Sequence, residues 1–476
     1  MVSQWKPIEE IARDVHSGTI TATALVKQAL KTIEDKKEYK AIIATTQKRA
    51  LERAKEIDEM VTEGKKSRRL AGVPFIAKDN FLTFGSETTA ASNILKGFEA
   101  PYQATAIERL EAEGAICVAK ANLDAFAHGS STENSDFFTT LNPHDKTRVP
   151  GGSSGGSAAA VILDMAPFAL GTDTGGSIRL PAAFTGAVGY KPTYGLVSRS
   201  GVIAMASSTD VIGPLTRTVE DTALVLDVIS GRDELDSTTI EKDPDGYSLK
   251  HQTSNIQHQK IGVVKEYMDE GLEPEIKRQI EAAIAQLKKA GAEVSDVSLP
   301  SLPLALAVYY IICPAELSSN LSRYDGQHYG FSYSAARDLL DSYSKTRAQG
   351  FGQEAKRRIM VGTYVLSSGY YDAYYKRAQL VRTKLIKEFN DAYKKVDFLI
   401  GPTAPTAAFK IGENTEDPLK MYLTDIMTVA ANLVGNPAIS VPANTTGLPV
   451  GLQLMAASGQ DRQLLSLAKA AEELIA

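Results

Sequence analysis

One lysine in this sequence is placed where it can do acid–base chemistry. Lys78 ends the run GVPFIAK, in which the six residues before it are uncharged and mostly apolar. Most lysines are charged surface residues. A lysine carried into the interior at the end of a strand is desolvated, which lowers the pKa of its ammonium group toward neutrality. We therefore predict a buried, neutral amine at Lys78 that can serve as a general base.

Two segments rich in glycine and serine can bind an anion through their backbone. They are PGGSSGGSAAA at residues 150–160 and GTDTGGSIRLP at residues 171–181. Glycine permits positive φ and close approach of the backbone, and successive N–H groups in such a turn can form an oxyanion hole. GGSSGGS alone also suits a flexible linker. Because the apolar run of residues 157–171 predicts a helix and a buried strand, we expect both turns inside the core.

The Gly-x-Ser-x-Gly pattern around Ser154 offers an alternative nucleophile, since it matches the nucleophile elbow of serine hydrolases. An elbow follows a strand, whereas NPHDKTRVP precedes this pattern and is a poor central strand. The elbow also needs a histidine base, and the three histidines downstream are His251, His258 and His328, of which the first two fall in a polar segment. No Gly-Lys-Ser/Thr follows the glycines, which argues against a Walker phosphate loop.

The composition is that of an ordinary globular protein. The chain has 476 residues, 43% of them hydrophobic and 23% charged, with a formal net charge of −5, so no basic excess indicates nucleic-acid binding. Periodic apolar residues at 21–38 and 46–63 predict amphipathic helices, and we expect peripheral helices over about residues 1–66.

The rest of the chain alternates short apolar runs with helical stretches, which predicts an α/β fold. Predicted strands are GVPFIA, AICVAK, APFALGT, KIGVVKEY, AEVSDVSLP, VDFLIGPTAP, AISVPA and VGLQLMAA, and predicted helices lie near residues 104–113, 273–290 and 417–433. The simplest architecture is one large mixed β-sheet sandwiched by α-helices in a single domain, residues 1–476. Residues from about 234 to 260 are polar enough to be a surface excursion.

Cysteine usage and hydropathy predict a cytoplasmic protein without a membrane partner. Cys117 and Cys313 are the only cysteines, and they form neither a disulfide framework nor a metal-type spacing, so no metal site is expected. The start MVSQWKPIEE is not a secretory signal, and no later stretch approaches the roughly 18 apolar residues of a membrane span.

Three motifs together resemble the amidase signature family over nearly the whole chain. They contain Lys78, Ser153 and Ser177, at spacings of 75 and 24 residues. The resemblance implies that Ser177 is the acyl-forming nucleophile, that Ser153 follows a cis peptide bond and relays protons, and that Lys78 is the base. It also implies an oxyanion hole made by the backbone amides of Thr174, Gly175, Gly176 and Ser177.

Further segments resemble the glutaminase subunits of tRNA-dependent amidotransferases within that family. They are SSNLSRYDGQHYGF, QGFGQEAKRRIMVGTYVLSSGYYDAYYKRAQ and EDPLKMYLTDIMTVAANLVGNPAISVP. The resemblance implies that Arg358 binds the α-carboxylate of glutamine, for which a guanidinium is geometrically suited, and that Asp425 binds its α-ammonium. Tyr309 and Gly129 are implied as further pocket residues. Without the resemblance, both charges would suit solvated helix faces.

The same resemblance implies partners. Ammonia released from glutamine would serve a tRNA-handling subunit, accompanied by a small third subunit, in converting Glu-tRNA(Gln) or Asp-tRNA(Asn). No cofactor is expected in this chain, ATP and Mg²⁺ are expected on a partner subunit, and tRNA is expected to be bound only through the complex. The alternatives are a free-standing amidase for another small carboxamide and an inactive scaffold, against which the intact lysine and serines argue.

This chain departs from the family pattern near the predicted pocket. Where the family typically has Asp-Glu-Phe-Ala-Met-Gly, the chain has Ala125 and His128, and Asn436 replaces a usual leucine. We expect His128 to be a structural histidine with satisfied hydrogen bonds. We likewise expect Asp173 to bind local backbone and Arg179 to anchor its loop.

Overall fold

An 11-stranded β-sheet organises the computed structural model, which describes residues 4–65, 68–249, 256–269, 271–443 and 447–475. The strands are β1 (Ile42–Thr45), β2 (Pro74–Lys78), β3 (Ile116–Ala121), β4 (Phe168–Asp173), β5 (Val188–Lys191), β6 (Val211–Thr216), β7 (Lys260–Val264), β8 (Glu293–Val297), β9 (Phe398–Pro402), β10 (Ala438–Pro442) and β11 (Gly451–Ala456). Each of the eight predicted strands is present, and the predicted α/β class is confirmed.

The sheet is mixed, with the order β1-β3-β2-β4-β6-β5-β10-β11-β9-β7-β8. Strands β3, β2 and β4 are parallel neighbours, as are β9, β7 and β8, whereas the remaining pairs are antiparallel. Because the carboxyl ends of parallel strands meet at one edge of a sheet, Lys78 at the end of β2 and Asp173 at the end of β4 lie close together.

Helices enclose the sheet. They are α1 (Ile8–His16), α2 (Ala22–Asp35), α3 (Gln47–Thr62), α4 (Thr105–Ala112), α5 (Gly155–Ile162), α6 (Arg179–Thr185), α7 (Val219–Ile229), α8 (Pro274–Lys289), α9 (Ala305–Asn320), α10 (Leu339–Gly350), α11 (Gln353–Leu366), α12 (Arg377–Tyr393), α13 (Pro418–Leu423), α14 (Val429–Val434) and α15 (Asp461–Ile475). Every residue of β2, β3, β4, β6, β9 and β11 is buried. Since side chains alternate across a sheet, both faces are covered along these strands.

Two predicted segments differ from the structure in detail. The amino-terminal region contains the helices α1, α2 and α3, but it also supplies the edge strand β1, which pairs antiparallel with β3. The single helix predicted at residues 417–433 is two short helices, α13 and α14, with a turn between them. Thr428 explains the break in part, because its hydroxyl donates a hydrogen bond to the carbonyl oxygen of Gly175 at 2.6 Å and so ties the turn to another loop.

One helical stretch contradicts the hydropathy prediction. Within the described part of the chain, Leu302–Arg323 is long and apolar enough to cross a membrane by length and composition alone, with a mean hydropathy of 1.4. Half of its apolar window is buried inside the protein, and a core helix of a soluble protein passes the same test. The prediction that no stretch approaches such a composition is therefore wrong.

The predicted polar excursion is described only in part, since residues 250–255 lie outside the described residues. Residues 234–249 form turns without a helix or a multi-residue strand. Asp236 attaches this segment to the rest of the protein through an ion pair with Arg199, whose Nη2 lies 2.8 Å from Asp236 Oδ1.

Candidate active site

The buried lysine lies among three hydroxyl groups. Lys78 is fully buried, and its Nζ lies 2.8 Å from Ser153 Oγ, 2.9 Å from Ser154 Oγ and 2.8 Å from Thr172 Oγ1. Burial lowers the pKa of Lys78 to about 7, and this effect outweighs nearby carboxylates that raise it, those of Asp124, Asp173 and Asp210. At neutral pH the amine is therefore neutral in a large fraction of molecules.

The turn that carries Ser153 is held tightly against a neighbouring loop. The peptide bond between Gly152 and Ser153 is cis. A Cβ at position 152 would lie 2.2 Å from Asp124 Oδ2, so only glycine fits there. Asp124 in turn accepts hydrogen bonds from the amides of Thr132 and Asn134, at 2.9 and 3.1 Å. These contacts fix the Ser153 hydroxyl beside the lysine.

Ser177 lies in the turn between β4 and α6, next to the Ser153 turn. The amide of Ser154 donates a hydrogen bond to the carbonyl oxygen of Ser177 at 3.1 Å, which joins the two glycine-rich segments. Ser177 is 8% exposed, whereas Ser153 and Ser154 are fully buried. Of these three serines, Ser177 is therefore the one that a substrate can reach.

The predicted oxyanion hole is present in part. The amide of Gly176 donates to Asp173 Oδ1 at 2.8 Å, so that N–H is already engaged and the expectation that it faces an oxyanion is not met in this structure. Among the described residues, the amides of Gly175 and Ser177 have no hydrogen-bond acceptor. These two amides remain available as donors to an anion.

Asp173 and Arg179 form a buried pair behind this turn. Arg179 Nε and Nη2 each lie 3.0 Å from one oxygen of Asp173, and Arg179 Nη1 and Nη2 also donate to Gln453 and Asn432. Burial by itself raises the pKa of Asp173, but the adjacent guanidinium holds it at about 2. Asp173 also accepts from the backbone, and both residues thus stabilise the turn, as their sequence context predicts.

The two predicted charges of the substrate pocket have partners that the sequence did not indicate. Arg358 is 4% exposed, and its Nε donates to Glu354 Oε1 at 2.8 Å. Its guanidinium also lies 5.3 Å from the ring centroid of Tyr310 and 5.5 Å from that of Tyr422. Among the described residues no acceptor is bonded to either Nη atom, so those N–H groups remain available.

Asp425 is the second charge of the pocket. Ser130 Oγ donates to its two oxygens at 2.8 and 2.9 Å, and the hydroxyl of Tyr310 donates to Oδ2 at 3.0 Å. Burial raises the pKa of Asp425 to about 7, against these hydrogen bonds.

A chain of contacts connects this pocket to the Ser177 turn. A Cβ on Gly175 would lie 2.6 Å from Tyr309 Cζ, so the tyrosine ring lies directly on the glycine backbone. Tyr309 packs edge-on against Tyr310 with ring centroids 5.1 Å apart, and Tyr310 contacts both Asp425 and Arg358. The structure thus brings the predicted pocket residues to the predicted nucleophile.

The loop at residues 128–130 forms another side of the pocket. Gly129 is closely packed, since a Cβ there would lie 2.5 Å from Asp124 Cγ. His128 is 1% exposed, and neither ring nitrogen has a partner among the described residues, so the expectation of a satisfied structural histidine is wrong. The Nδ2 of Asn436 is also buried without a partner in the described structure. Ala125 is buried in the short turn before His128.

The alternative nucleophile elbow at Ser154 lacks the base it needs. The side chains of His258 and His328 are 87% and 75% exposed, and His251 lies outside the described residues. No regular strand directly precedes Ser154, which is followed instead by α5. The described geometry therefore favours a lysine-based mechanism.

Thr172, Ser130, Tyr310 and Glu354 are further polar residues of this site that the sequence interpretation did not identify. Glu354 had a sequence signal, because it lies four residues before Arg358 on α11, a spacing at which helical side chains pair. Within the described ranges, no group of three or more His, Cys, Asp or Glu side chains is arranged to hold a metal ion.

Comparison with known proteins identifies relatives along nearly the full length. A family model described as Amidase matches residues 24–465. The A subunit of the glutamyl-tRNA(Gln) amidotransferase of Caldanaerobacter subterraneus is 50% identical over 98% of this chain and 96% of that protein. The crystal structure of the protein of the same name from Thermotoga maritima is 42% identical, with a TM-score of 0.79 over 95% of this chain and 91% of that one. A bacterial aryl acylamidase is 25% identical, with a TM-score of 0.87 over 99% and 96% of the two chains.

Proposed function

Because this chain belongs to the Amidase family, we propose that it hydrolyses the side-chain amide of glutamine as the glutaminase subunit of a tRNA-dependent amidotransferase. The membership confirms the family resemblance found in the sequence. The observation that carries the proposal is the fully buried Lys78, whose Nζ lies 2.8 Å from Ser153 Oγ beside the turn that holds Ser177. The likeness to amidotransferase A subunits over 98% of the chain supports the choice of this role.

The hydrogen bonds of Lys78 suit a neutral amine acting as a base. Such an amine has two N–H donors and one lone pair, which matches its three hydroxyl neighbours if one of them donates. In the proposed mechanism Ser153 is that donor. As Ser177 Oγ attacks the amide carbon of glutamine, its proton passes to Ser153 and the Ser153 proton passes to Lys78.

The remaining steps return these protons. Negative charge on the carbonyl oxygen is stabilised by the amides of Gly175 and Ser177, a type of contribution worth roughly 3–4 kcal/mol per donor. When the carbon–nitrogen bond breaks, the leaving nitrogen takes a proton through Ser153 from Lys78 and departs as ammonia. Water then attacks the γ-glutamyl ester on Ser177 by the same relay and releases glutamate.

The pocket chemistry suits an amino-acid substrate. We propose that the free Nη groups of Arg358 bind the α-carboxylate and that ionised Asp425 binds the α-ammonium, while Tyr309 and Gly129 form the walls. Glu354 compensates the charge of Arg358 and orients its guanidinium through the 2.8 Å bond to Nε.

The proposed partners follow from the names of the relatives. We propose that the chain assembles with a tRNA-handling subunit and a small third subunit, and that ATP and Mg²⁺ are used on the tRNA-handling subunit. The acceptor would be Glu-tRNA(Gln), Asp-tRNA(Asn) or both, and tRNA would be bound only through the complex. A cytoplasmic location fits two buried, unpaired cysteines.

The test is to purify the chain from its native host with its partners and to compare the complex with the isolated chain. The complex should release ammonia from glutamine and amidate Glu-tRNA(Gln) or Asp-tRNA(Asn) with ATP, whereas the isolated chain should hydrolyse glutamine weakly and bind neither ATP nor tRNA tightly. Full amidase activity on another small carboxamide, without copurifying subunits, would instead support the free-standing amidase.

A further inference from the structure

His128 is buried at the pocket with unused hydrogen-bonding capacity. It is 1% exposed, and neither ring nitrogen has a partner among the described residues. Two other histidines show the usual arrangement, since a ring nitrogen of His16 lies 2.9 Å from the carbonyl oxygen of Arg68 and one of His144 lies 2.8 Å from that of Thr185. Because buried polar groups are generally hydrogen-bonded, the His128 ring requires an explanation.

The backbone fixes the position of this ring. The amide of His128 donates to the carbonyl oxygen of Ala125 at 3.0 Å, and Asn134 Nδ2 donates to the carbonyl oxygen of His128 at 2.9 Å. Two residues later, Ser130 binds Asp425. The ring also lies against Phe126, with centroids 6.0 Å apart. His128 is thus held on the loop that lines the pocket.

The ring is neutral at physiological pH. Burial lowers the pKa of His128 well below its ordinary value, and the nearby positive charge of Arg358 lowers it further. A neutral imidazole has one N–H donor and one acceptor nitrogen. A donor buried next to a guanidinium suits a ligand group that carries negative charge and several lone pairs, because such a group can accept from both side chains.

We propose that His128 determines substrate specificity in this pocket by donating its ring N–H to the α-carboxylate that Arg358 binds. This inference rests on the proposed function, in which glutamine is the substrate. A carboxylate has enough lone pairs to accept from two Nη groups and one imidazole. Methionine, the usual family residue at this position, has no N–H to donate, so the contact is specific to chains with a donor here.

Three substrates separate the proposed contact from a general effect on the pocket. Glutamine carries both α-groups, 4-carbamoylbutanoate lacks the ammonium, and 4-aminobutanamide lacks the carboxylate. The complex carrying His128→Met should lose about tenfold or more in kcat/KM on the first two, as expected for a hydrogen bond to a charged group. Its kcat/KM on 4-aminobutanamide should change by less than about twofold, since that substrate offers no acceptor to the imidazole.

Two further variants serve as controls. His328→Met makes the same chemical change at an exposed site and should leave all three substrates unaffected. His128→Gln restores an N–H donor and should recover most of the activity on glutamine. Equal losses of His128→Met on all three substrates, or no rescue by glutamine at this position, would contradict the proposal and indicate a structural role.

A binding measurement separates failure of this inference from failure of the proposed function. In the Ser177→Ala background, where no turnover is expected, calorimetric titration should show that His128→Met weakens binding of glutamine but not of 4-aminobutanamide. If wild type shows no preference for glutamine over 4-aminobutanamide, the proposed substrate is wrong, and the contact with it. If wild type prefers glutamine and His128→Met keeps that preference, only the role of His128 is wrong.

Discussion

The acid side of the pH profile should be steeper for glutamine than for an analogue without the α-ammonium. Burial places the pKa of Lys78 at about 7 by lowering it and that of Asp425 at about 7 by raising it. Lys78 must be deprotonated to act as a base, and Asp425 must be deprotonated to bind the ammonium. Both functional forms therefore increase as the pH rises through 7.

The expected magnitudes follow from these two values. A group with a pKa of about 7 is deprotonated in about 9% of molecules at pH 6 and about 91% at pH 8, a change of about tenfold. Since kcat/KM reports ionisations of the free enzyme, it should fall about 100-fold for glutamine between pH 8 and pH 6. For 4-carbamoylbutanoate, which needs only Lys78, it should fall about tenfold.

The assay measures ammonia release by the purified complex between pH 5.5 and 8 at constant ionic strength. Asp425→Asn serves as the control, because it should leave the profile of 4-carbamoylbutanoate unchanged. Equal slopes for the two substrates would remove Asp425 from substrate binding. A midpoint near the ordinary lysine value of about 10.4 would refute a buried, neutral Lys78.

Three further predictions concern the nucleophile, the pocket and the glycine turn. Ser177→Ala should abolish ammonia release, whereas Ser154→Ala removes one hydrogen bond of about 1 kcal/mol and should cost only about fivefold in kcat; the reverse order would support the elbow mechanism. Arg358→Ala should lower kcat/KM for glutamine about 100-fold, as for a strong charged hydrogen bond, and affect 4-aminobutanamide less, whereas equal losses would indicate a structural role. Gly176→Ala should lower both the thermal midpoint and ammonia release, because φ is +136° and the new Cβ would lie 2.1 Å from a threonine hydroxyl oxygen; Gly412→Ala, at φ +84° with open space, is the matched control.

The sequence predicted those parts of the fold that depend on local pattern. The buried strand that ends in Lys78 follows from its apolar residues, and every predicted strand is present. The edge strand β1 was missed because four residues between two helices give too short a pattern. The break at residues 424–428 was missed because tertiary hydrogen bonds, such as that from Thr428 to Gly175, determine it.

The site was predictable where a motif is continuous and unpredictable where partners come from distant segments. Lys78 and the two glycine-rich segments could be identified from their own neighbourhoods. The contacts of Asp425 with Ser130 and Tyr310 join residues 295 and 115 positions apart, which no periodicity indicates. The unpaired state of His128 likewise depends on what surrounds the ring in three dimensions.

The structure changes the reason why this pocket should prefer an amino-acid amide. From the sequence, a lipophilic amide is disfavoured because it would leave two buried charges, Arg358 and Asp425, unpaired. In the structure Arg358 is already paired with Glu354, and with a pKa of about 7 Asp425 is protonated in half of the molecules at neutral pH. An uncharged substrate therefore meets a pocket whose charges are largely compensated. Selectivity must then come from what glutamine adds, namely an acceptor for the free Nη groups of Arg358 and an ammonium that stabilises ionised Asp425.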